Sequence, residues 1–308
     1  MELPNWLYQY RTNVMSQHGE DGVVKQIIDK IGIENKWIVD IGAGDGVFIS
    51  NSWYWLNEES WHGVCVEADS ANYQKLQSLY SKRKDVFTFN KYVSDEEIVD
   101  KILSNTPAPK SFDILSIDID SVDYKIWEMM EEFNPRVVII EANASMAPDI
   151  EVIQEDSRYR IGSSSLSMVK LAKRKGYELA AHLVSNCIFV RNDEFQKLGL
   201  GDNSLDRLFI SPFVPKVFSD MNGVHYIIKE GPWGVGECKM ANDLSDEIRT
   251  HEDGYRSIER SIQMLNDENI LVTNKSGIHG HTSQIEFNWD IKTVLDTFKN
   301  RMSVFNIT

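Results

Sequence analysis

The residues best suited to chemistry in this chain are a glycine-rich turn and a set of acids that follow it. Asp40-Ile41-Gly42-Ala43-Gly44-Asp45-Gly46 comes directly after a short apolar run. Glycines let the backbone bend sharply and let a ligand approach with no Cβ in the way, and the following helical stretch presents free amides. The spacing is G-x-G-x-G, whereas a dinucleotide pyrophosphate suits G-x-G-x-x-G. With Asp40 two residues before the first glycine, the turn suits a cationic or zwitterionic ligand. Glu67 ends the next apolar run, where a carboxylate can accept both hydroxyls of a ribose. Together these features point to a nucleoside-containing cofactor.

A second constellation is acidic. Asp118, Asp120 and Asp123 follow one strand-like run, and Glu141 and Asn143 follow the next. Acids converging at neighbouring strand ends repel one another unless something positive lies between them. Their oxygens suit a hard divalent cation such as magnesium or calcium. Without a metal, Asp118 or Asp120 would act as a general base, its pKa raised by the neighbouring acids. Asp123 reads as a helix-start residue. His182, at the end of a later strand, is a further candidate base. His225, His279 and His281 have poor spacing for zinc and read as loop residues.

These residues need a scaffold, and the hydrophobic pattern supplies one. Residues 16–35 follow helical spacing, with Ser16 as a candidate cap and Gly32 as a stop. Apolar runs at Trp37–Ile41, Gly63–Glu67, Asp85–Asn90, Phe112–Asp118 and Arg136–Glu141 read as buried strands. Helical stretches at 51–58, 70–83, 95–104 and 124–132 separate them. A helix over 166–175 and a hairpin of Tyr177–His182 with Cys187–Arg191 complete the pattern. This alternation predicts an α/β fold: a Rossmann-like, doubly wound, mostly parallel sheet. Residues 1–195 form the expected catalytic domain. Residues 196–308, richer in Pro and Gly, form a C-terminal extension read as a substrate lid or oligomerisation region. Phe209, Phe213, Phe218, Tyr226 and Trp233 there are candidates for stacking on sugar rings.

Several stretches resemble a known family. They are Ser16-Gln17-His18-Gly19-Glu20-Asp21, the Asp40–Gly46 turn with Ser50-Asn51 behind it, and Trp61–Glu67. Leu115–Tyr124 and Val138–Asn143 continue the likeness. Over residues 16–195 the chain resembles class I S-adenosylmethionine-dependent methyltransferases of the FkbM, sugar-modifying type. Relatives often carry Gly where this chain has Ser121, and a bulkier residue where it has Ala142. The resemblance implies S-adenosylmethionine as cofactor, with Asp40, Gly42, Gly44, Gly46 and Asn51 around its methionine part, Glu67 on the ribose and Asp118 nearby. Val93, Ser94 and Asp95 would lie near the adenine; for Asp95 a helix cap is the stronger reading. Gln17, His18 and Glu20 would lie over the cofactor or cap the first helix. A similarity to the metal site of catechol-type and macrolide-sugar O-methyltransferases implies Asp118, Glu141 and Asn143 as ligands for a divalent cation such as magnesium. Here Glu-x-Asn replaces an adjacent Asp-Asn pair.

Composition bounds the rest. The 308 residues carry 32 Lys and Arg against 47 Asp and Glu, a formal charge of −15, so a phosphate backbone would meet a repulsive field and nucleic acid is not an expected partner. Three cysteines form no disulfide framework. No signal peptide or membrane span is read from the sequence, which leads to an expectation of a cytoplasmic protein without membrane contact. The expected activity is O-methylation of a small-molecule or glycan hydroxyl, on a sugar or nucleotide sugar, with homo-oligomerisation left open. The alternatives are a catalytically idle cofactor-binding module that recruits a glycan or protein, and a nicotinamide oxidoreductase, which the glycine spacing disfavours.

Overall fold

A computed structural model of the protein describes residues 3–94, 98–155 and 162–211, together with short strands between 216 and 272. The chain divides into two compact units. One is Met1–Ser157 with Gly162–Ser211, and the other is Arg158–Ile161 with Pro212–Thr308.

The first unit is built on seven strands: β1 (Trp37–Ile41), β2 (His62–Glu67), β3 (Val86–Asn90), β4 (Ile114–Ile117), β5 (Val137–Glu141), β6 (Tyr177–Leu183) and β7 (Asn186–Arg191). They lie in the order β3-β2-β1-β4-β5-β7-β6. All run parallel except β7, which is antiparallel to both neighbours. The fold is therefore an α/β, mostly parallel sheet. Each residue of β1 is buried, as expected for a strand covered on both faces. The strand order reverses between β1 and β4, and such a switch point opens a crevice at the carboxyl ends of the two strands.

Helices α1 (Glu20–Ile31), α2 (Ser70–Tyr80), α3 (Val99–Leu103), α4 (Asp123–Met129) and α5 (Ser165–Lys175) join the strands. In α1, Val23, Val24, Ile27, Ile28 and Ile31 form the buried stripe, and the amide of Gly32 closes the helix on the Ile28 carbonyl. The cap position of α1 belongs to Gly19, with φ +104°. Ser16 acts one step back: its Oγ accepts from the Asp21 amide, and Asp21 Oδ2 accepts from the amides of Val14, Met15 and Ser16.

Two elements differ from their expected form. Only Tyr54–Glu58 of the stretch over 51–58 is helical, as a wide π-type turn closed by Glu59 N to Tyr54 O at 3.2 Å. Ahead of it the chain is tied down by side chains of Ser50 and Ser52. Helix α3 is shorter than the expected 95–104, and residues 95–97, Asp95 among them, lie outside the described residues. After β7, helix α6 (Asn192–Phe195), the 3-10 turn Gln196–Leu198 and helix α7 (Leu205–Leu208) add Phe195, Leu198, Leu205 and Leu208 to the core of the first unit.

Opposite the crevice, at the amino ends of β4 and β5, Arg136 lies buried. Its guanidinium pairs with Asp113 and Glu194, each at 2.7 Å, and donates to the carbonyls of Ile31 and Gly32. Asp113 in turn accepts from the amides of Glu34, Asn35 and Lys36. Lys197 pairs with Glu194 as a second cation, so the two carboxylates face two cations and the carbonyls at the end of α1 are satisfied, as burial demands.

In the second unit, β8 (Lys216–Ser219), β9 (His225–Ile228) and β12 (Ile270–Val272) form a three-stranded sheet in the order β12-β9-β8. Strands β10 (Glu230–Gly231) and β11 (Gly234–Val235) pair with each other. His279, His281, Phe213 and Trp233 lie outside the described residues. No described helix is long and apolar enough to cross a membrane.

Candidate functional site

The glycine turn is held at the tip of β2. Gly42 and Ala43 both donate to the Val66 carbonyl, at 2.9 and 3.0 Å, and the Gly44 amide donates to Glu67 Oε2 at 2.7 Å. Glu67 Oε1 accepts from the Asp69 amide at 2.6 Å. Its carboxylate is thus fixed from two sides, with lone pairs remaining on each oxygen.

The three glycines have different tasks. Gly42 has φ +89°, and a Cβ there would lie 1.7 Å from the Asp118 carbonyl oxygen, so β1 and β4 approach as closely as backbone allows. Gly44, with φ +56°, has nothing within 4 Å of where its Cβ would be, so this bend faces open space. At Gly46 a Cβ would meet Leu76 of α2 at 2.7 Å. Gly46 therefore lets the turn pack closely against α2.

Asp40 and Asn51 lie beneath the turn. Asp40 is buried and its Oδ2 accepts from Ser52 Oγ at 2.5 Å. Burial pushes its pKa up to about 6, with hydrogen bonds from Ser52 and Ser116 acting the other way. Asn51 donates to Ser116 Oγ at 3.2 Å. Both residues brace the chain behind the bend. Asp45 accepts from the Val47 and Phe48 amides, and the Phe48 ring beyond it is 76% exposed. Ser94 follows β3, where the Lys91 amide donates to the Glu67 carbonyl, on the Glu67 side of the sheet.

The acids gather at the next strand tips. Asp118, Asp120 and Glu141 each offer an oxygen within 4.8 Å of the others. Asp118 has its pKa pushed up to about 8 by burial and then by Asp123, Asp120, Asp40 and Glu20. Burial, followed by Asp118, Asp123 and Asp120, drives Glu141 well above the usual range. Asp120 sits in the left-handed region at φ +58°, a conformation aspartate tolerates better than most side chains. Asp123 accepts from the Ile119 and Ser121 amides and starts α4, so it shapes the loop beneath the acids.

Asn143 turns its carbonyl oxygen onto the amide and hydroxyl of Ser145, at 2.8 and 2.6 Å, while Asp120 stands with Asp118 and Glu141. One expectation needs correction. His182 is fully buried. Its Nδ1 accepts from the Ile210 amide at 3.4 Å, which leaves the hydrogen on Nε2 for Ser165 Oγ at 2.9 Å. The Phe209 ring lies 4.5 Å away, and burial lowers the imidazole pKa to about 4. A neutral histidine with both nitrogens engaged is a structural pin for β6, and it has no nitrogen left to act as a base.

Two residues had no catalytic role in the sequence reading. Glu20 is buried: its Oε2 accepts from the Gln17 and His18 amides and its Oε1 from Asn186 Nδ2 at 2.8 Å. Asn186 begins β7 directly opposite Glu141. The only signal for it was a polar residue opening an otherwise apolar strand.

No family model and no curated protein matches the chain. Among solved structures it is similar to the citrinin polyketide synthase CMeT domain, at 13% identity and a TM-score of 0.40, over 56% of this chain and 51% of that one. The match thus spans about half of that relative's own length. A TehB-like SAM-dependent methyltransferase from Corynebacterium glutamicum is similar at 12% identity and a TM-score of 0.34, over 55% of this chain and 86% of that one. Aeropyrum pernix fibrillarin, solved with natively bound S-adenosyl-L-methionine, is similar at 13% identity and a TM-score of 0.34, over 51% of this chain and 66% of that one.

Proposed function

We propose that this chain is an S-adenosylmethionine-dependent O-methyltransferase of the FkbM type, acting on a hydroxyl of a sugar, nucleotide sugar or glycan. The observation that carries the reading is the sequence of groups along adjacent strand tips. A fixed carboxylate stands on β2, an open glycine bend on β1, and weakly acidic carboxyls on β4 and β5.

The residues fit a sulfonium nucleoside. Glu67 retains lone pairs for ribose hydroxyls, and the space at Gly44 admits a ligand against bare backbone. When bound, the cofactor supplies an activated methyl group. The chain's own task is positioning and proton removal. Asp118, with a pKa of about 8, is matched to accept a proton from an acceptor hydroxyl near neutral pH. Burial, and after it repulsion from Asp123 and Asp120, keeps that carboxyl basic.

Calorimetry with S-adenosylhomocysteine, followed by turnover of S-adenosylmethionine against sugars and nucleotide sugars, tests the reading. Asp118→Asn is expected to lower kcat by about 10²–10⁴-fold while S-adenosylhomocysteine still binds. Absence of S-adenosylhomocysteine binding to the wild-type chain would refute the proposal.

A further inference from the structure

The loop that carries the acids after β4 is anchored at several points. The Asp118 amide donates to the Ile41 carbonyl at 2.9 Å, and the Ile119 and Ser121 amides donate to Asp123 at 2.8 and 3.0 Å. Between these anchors Asp120 holds φ +58°. A side chain persists in that region only where its surroundings over-determine it. Ser121 supplies the next constraint: it is buried, and its Oγ accepts from Gln154 Nε2 at 3.2 Å.

Gln154 is 4% exposed, and its carboxamide has a fixed sense. Oε1 accepts from the Gly162 amide at 2.6 Å, so a flipped carboxamide would turn its NH₂ against that donor. The backbone around it is equally held. The Gln154 amide donates to Ser163 Oγ at 3.0 Å. Val152 N donates to Ser164 Oγ and Ser164 N to the Val152 carbonyl, at 3.0 and 2.8 Å. The Ser163 carbonyl accepts from the Asn143 amide, two residues beyond Glu141, and Ser164 caps α5. One buried side chain thus ties the loop after β4 to the chain that follows β5, and those two strand ends present Asp118, Asp120 and Glu141.

We propose that Gln154 is a positioning residue for the acidic strand tips: its grip on Ser121 keeps Asp120 in the left-handed conformation that stands its carboxylate beside Asp118 and Glu141. Without that bond Ser121 and Asp120 are free to relax together, and the Asp120 carboxylate moves with them. The contact is a feature of this chain's own residues. A glycine at 121, which relatives of the resembled type often carry, has no hydroxyl to receive the amide. The consequence of Gln154 for methyl transfer rests on the methyl-transfer reading, whereas its consequence for the loop does not.

Hydrogen exchange read by mass spectrometry on the full chain, without cofactor or acceptor, tests the loop itself. Gln154→Leu and Ser121→Ala are each expected to speed exchange over residues 118–123 about tenfold, the size of one lost hydrogen bond. Residues 37–41 of β1 should exchange as in the wild-type chain. The double variant should exchange no faster than either single one, because both substitutions remove the same bond. Gln154→Asn, one methylene shorter, replaces the leucine variant if circular dichroism shows that variant unfolded. Unchanged exchange over 118–123 in either folded single variant, or a double variant about a hundredfold faster than wild type, would overturn the proposal. With S-adenosylmethionine and an acceptor that turns over, Gln154→Leu should lower kcat about tenfold and leave S-adenosylhomocysteine affinity unchanged, a split that a general loss of fold would not give. An unchanged kcat would remove the catalytic consequence. Failure of S-adenosylhomocysteine to bind the wild-type chain would refute the methyl-transfer reading alone.

Discussion

The Gly44 amide donates to Glu67 Oε2 across 2.7 Å, so the bend after β1 and the acid that ends β2 form one unit. Replacing Glu67 therefore does two things: it removes the carboxylate proposed to hold the ribose and releases the bend. Glu67→Ala is expected to weaken S-adenosylhomocysteine by about 100-fold, the size of two lost charge-assisted hydrogen bonds. Glu67→Gln still offers one oxygen, either to Gly44 or to the ligand, and should fall between. Calorimetry of the three proteins reads the order, and equal affinities would separate Glu67 from the cofactor.

Two glycines of the same turn should fail differently when given a methyl group. At Gly42 the new Cβ would sit 1.7 Å from the Asp118 carbonyl oxygen, with φ at +89°. Backbone cannot yield there, so Gly42→Ala should lower thermal stability severely. At Gly44 nothing opposes the methyl group, and only the left-handed backbone cost of about 1–2 kcal/mol remains. Gly44→Ala should therefore melt close to wild type and yet lose cofactor affinity, because its methyl group projects into the open bend. Paired melting curves and titrations distinguish the two.

How far the sequence disclosed this arrangement depends on what each signal measures. The strands and helices of the first unit were legible because their apolar residues recur with period or in buried runs, as in Trp37–Ile41 and Val23–Ile31. The three strand-tip acids were legible because acids are costly at the ends of apolar strands. Direction of aim was not. Asp40 and Glu67 both lie at strand ends, but Asp40 points under the turn to Ser52 and Glu67 points up to Gly44. His182 has the residue type of a base, and only packing by Phe209 and Ser165 shows it sealed. Asn186 becomes meaningful only through its antiparallel register with Glu141, a contact between residues far apart in the chain.

The sealed histidine makes stability depend on pH. Its pKa falls from 6.5 in the unfolded chain to about 4 when folded, because burial disfavours the imidazolium. Between those values the unfolded chain binds the extra proton. The stability contributed by His182 is complete above pH 6.5 and is lost as pH falls through 4, amounting to about 2–4 kcal/mol. His182→Gln removes this titration. Denaturant unfolding at about pH 7.5 and pH 4.5 should show the wild-type chain losing more stability than the variant across that interval. A wild-type chain and variant that fall in parallel would contradict the burial of the ring. Cofactor affinity at neutral pH should be the same in both.

The Arg136 cluster offers the opposite test, a perturbation of fold remote from the site. Arg136 is enclosed by Asp113 and Glu194 and also closes α1 through the Ile31 and Gly32 carbonyls. Arg136→Met leaves Asp113 without its cation and Glu194 with Lys197 alone, and breaking a buried pair from one side costs roughly 3–5 kcal/mol. Removing all three charges together, as Arg136→Met with Asp113→Asn and Glu194→Gln, should recover part of that loss, since the one amide oxygen left at position 113 can still accept from Asn35 and Lys36. The cluster lies at the amino ends of β4 and β5, the crevice at the carboxyl end of β4. Any folded Arg136 variant should therefore bind S-adenosylhomocysteine as the wild-type chain does. A loss of affinity in a folded variant would show that strain passes along β4 from Asp113 to Asp118.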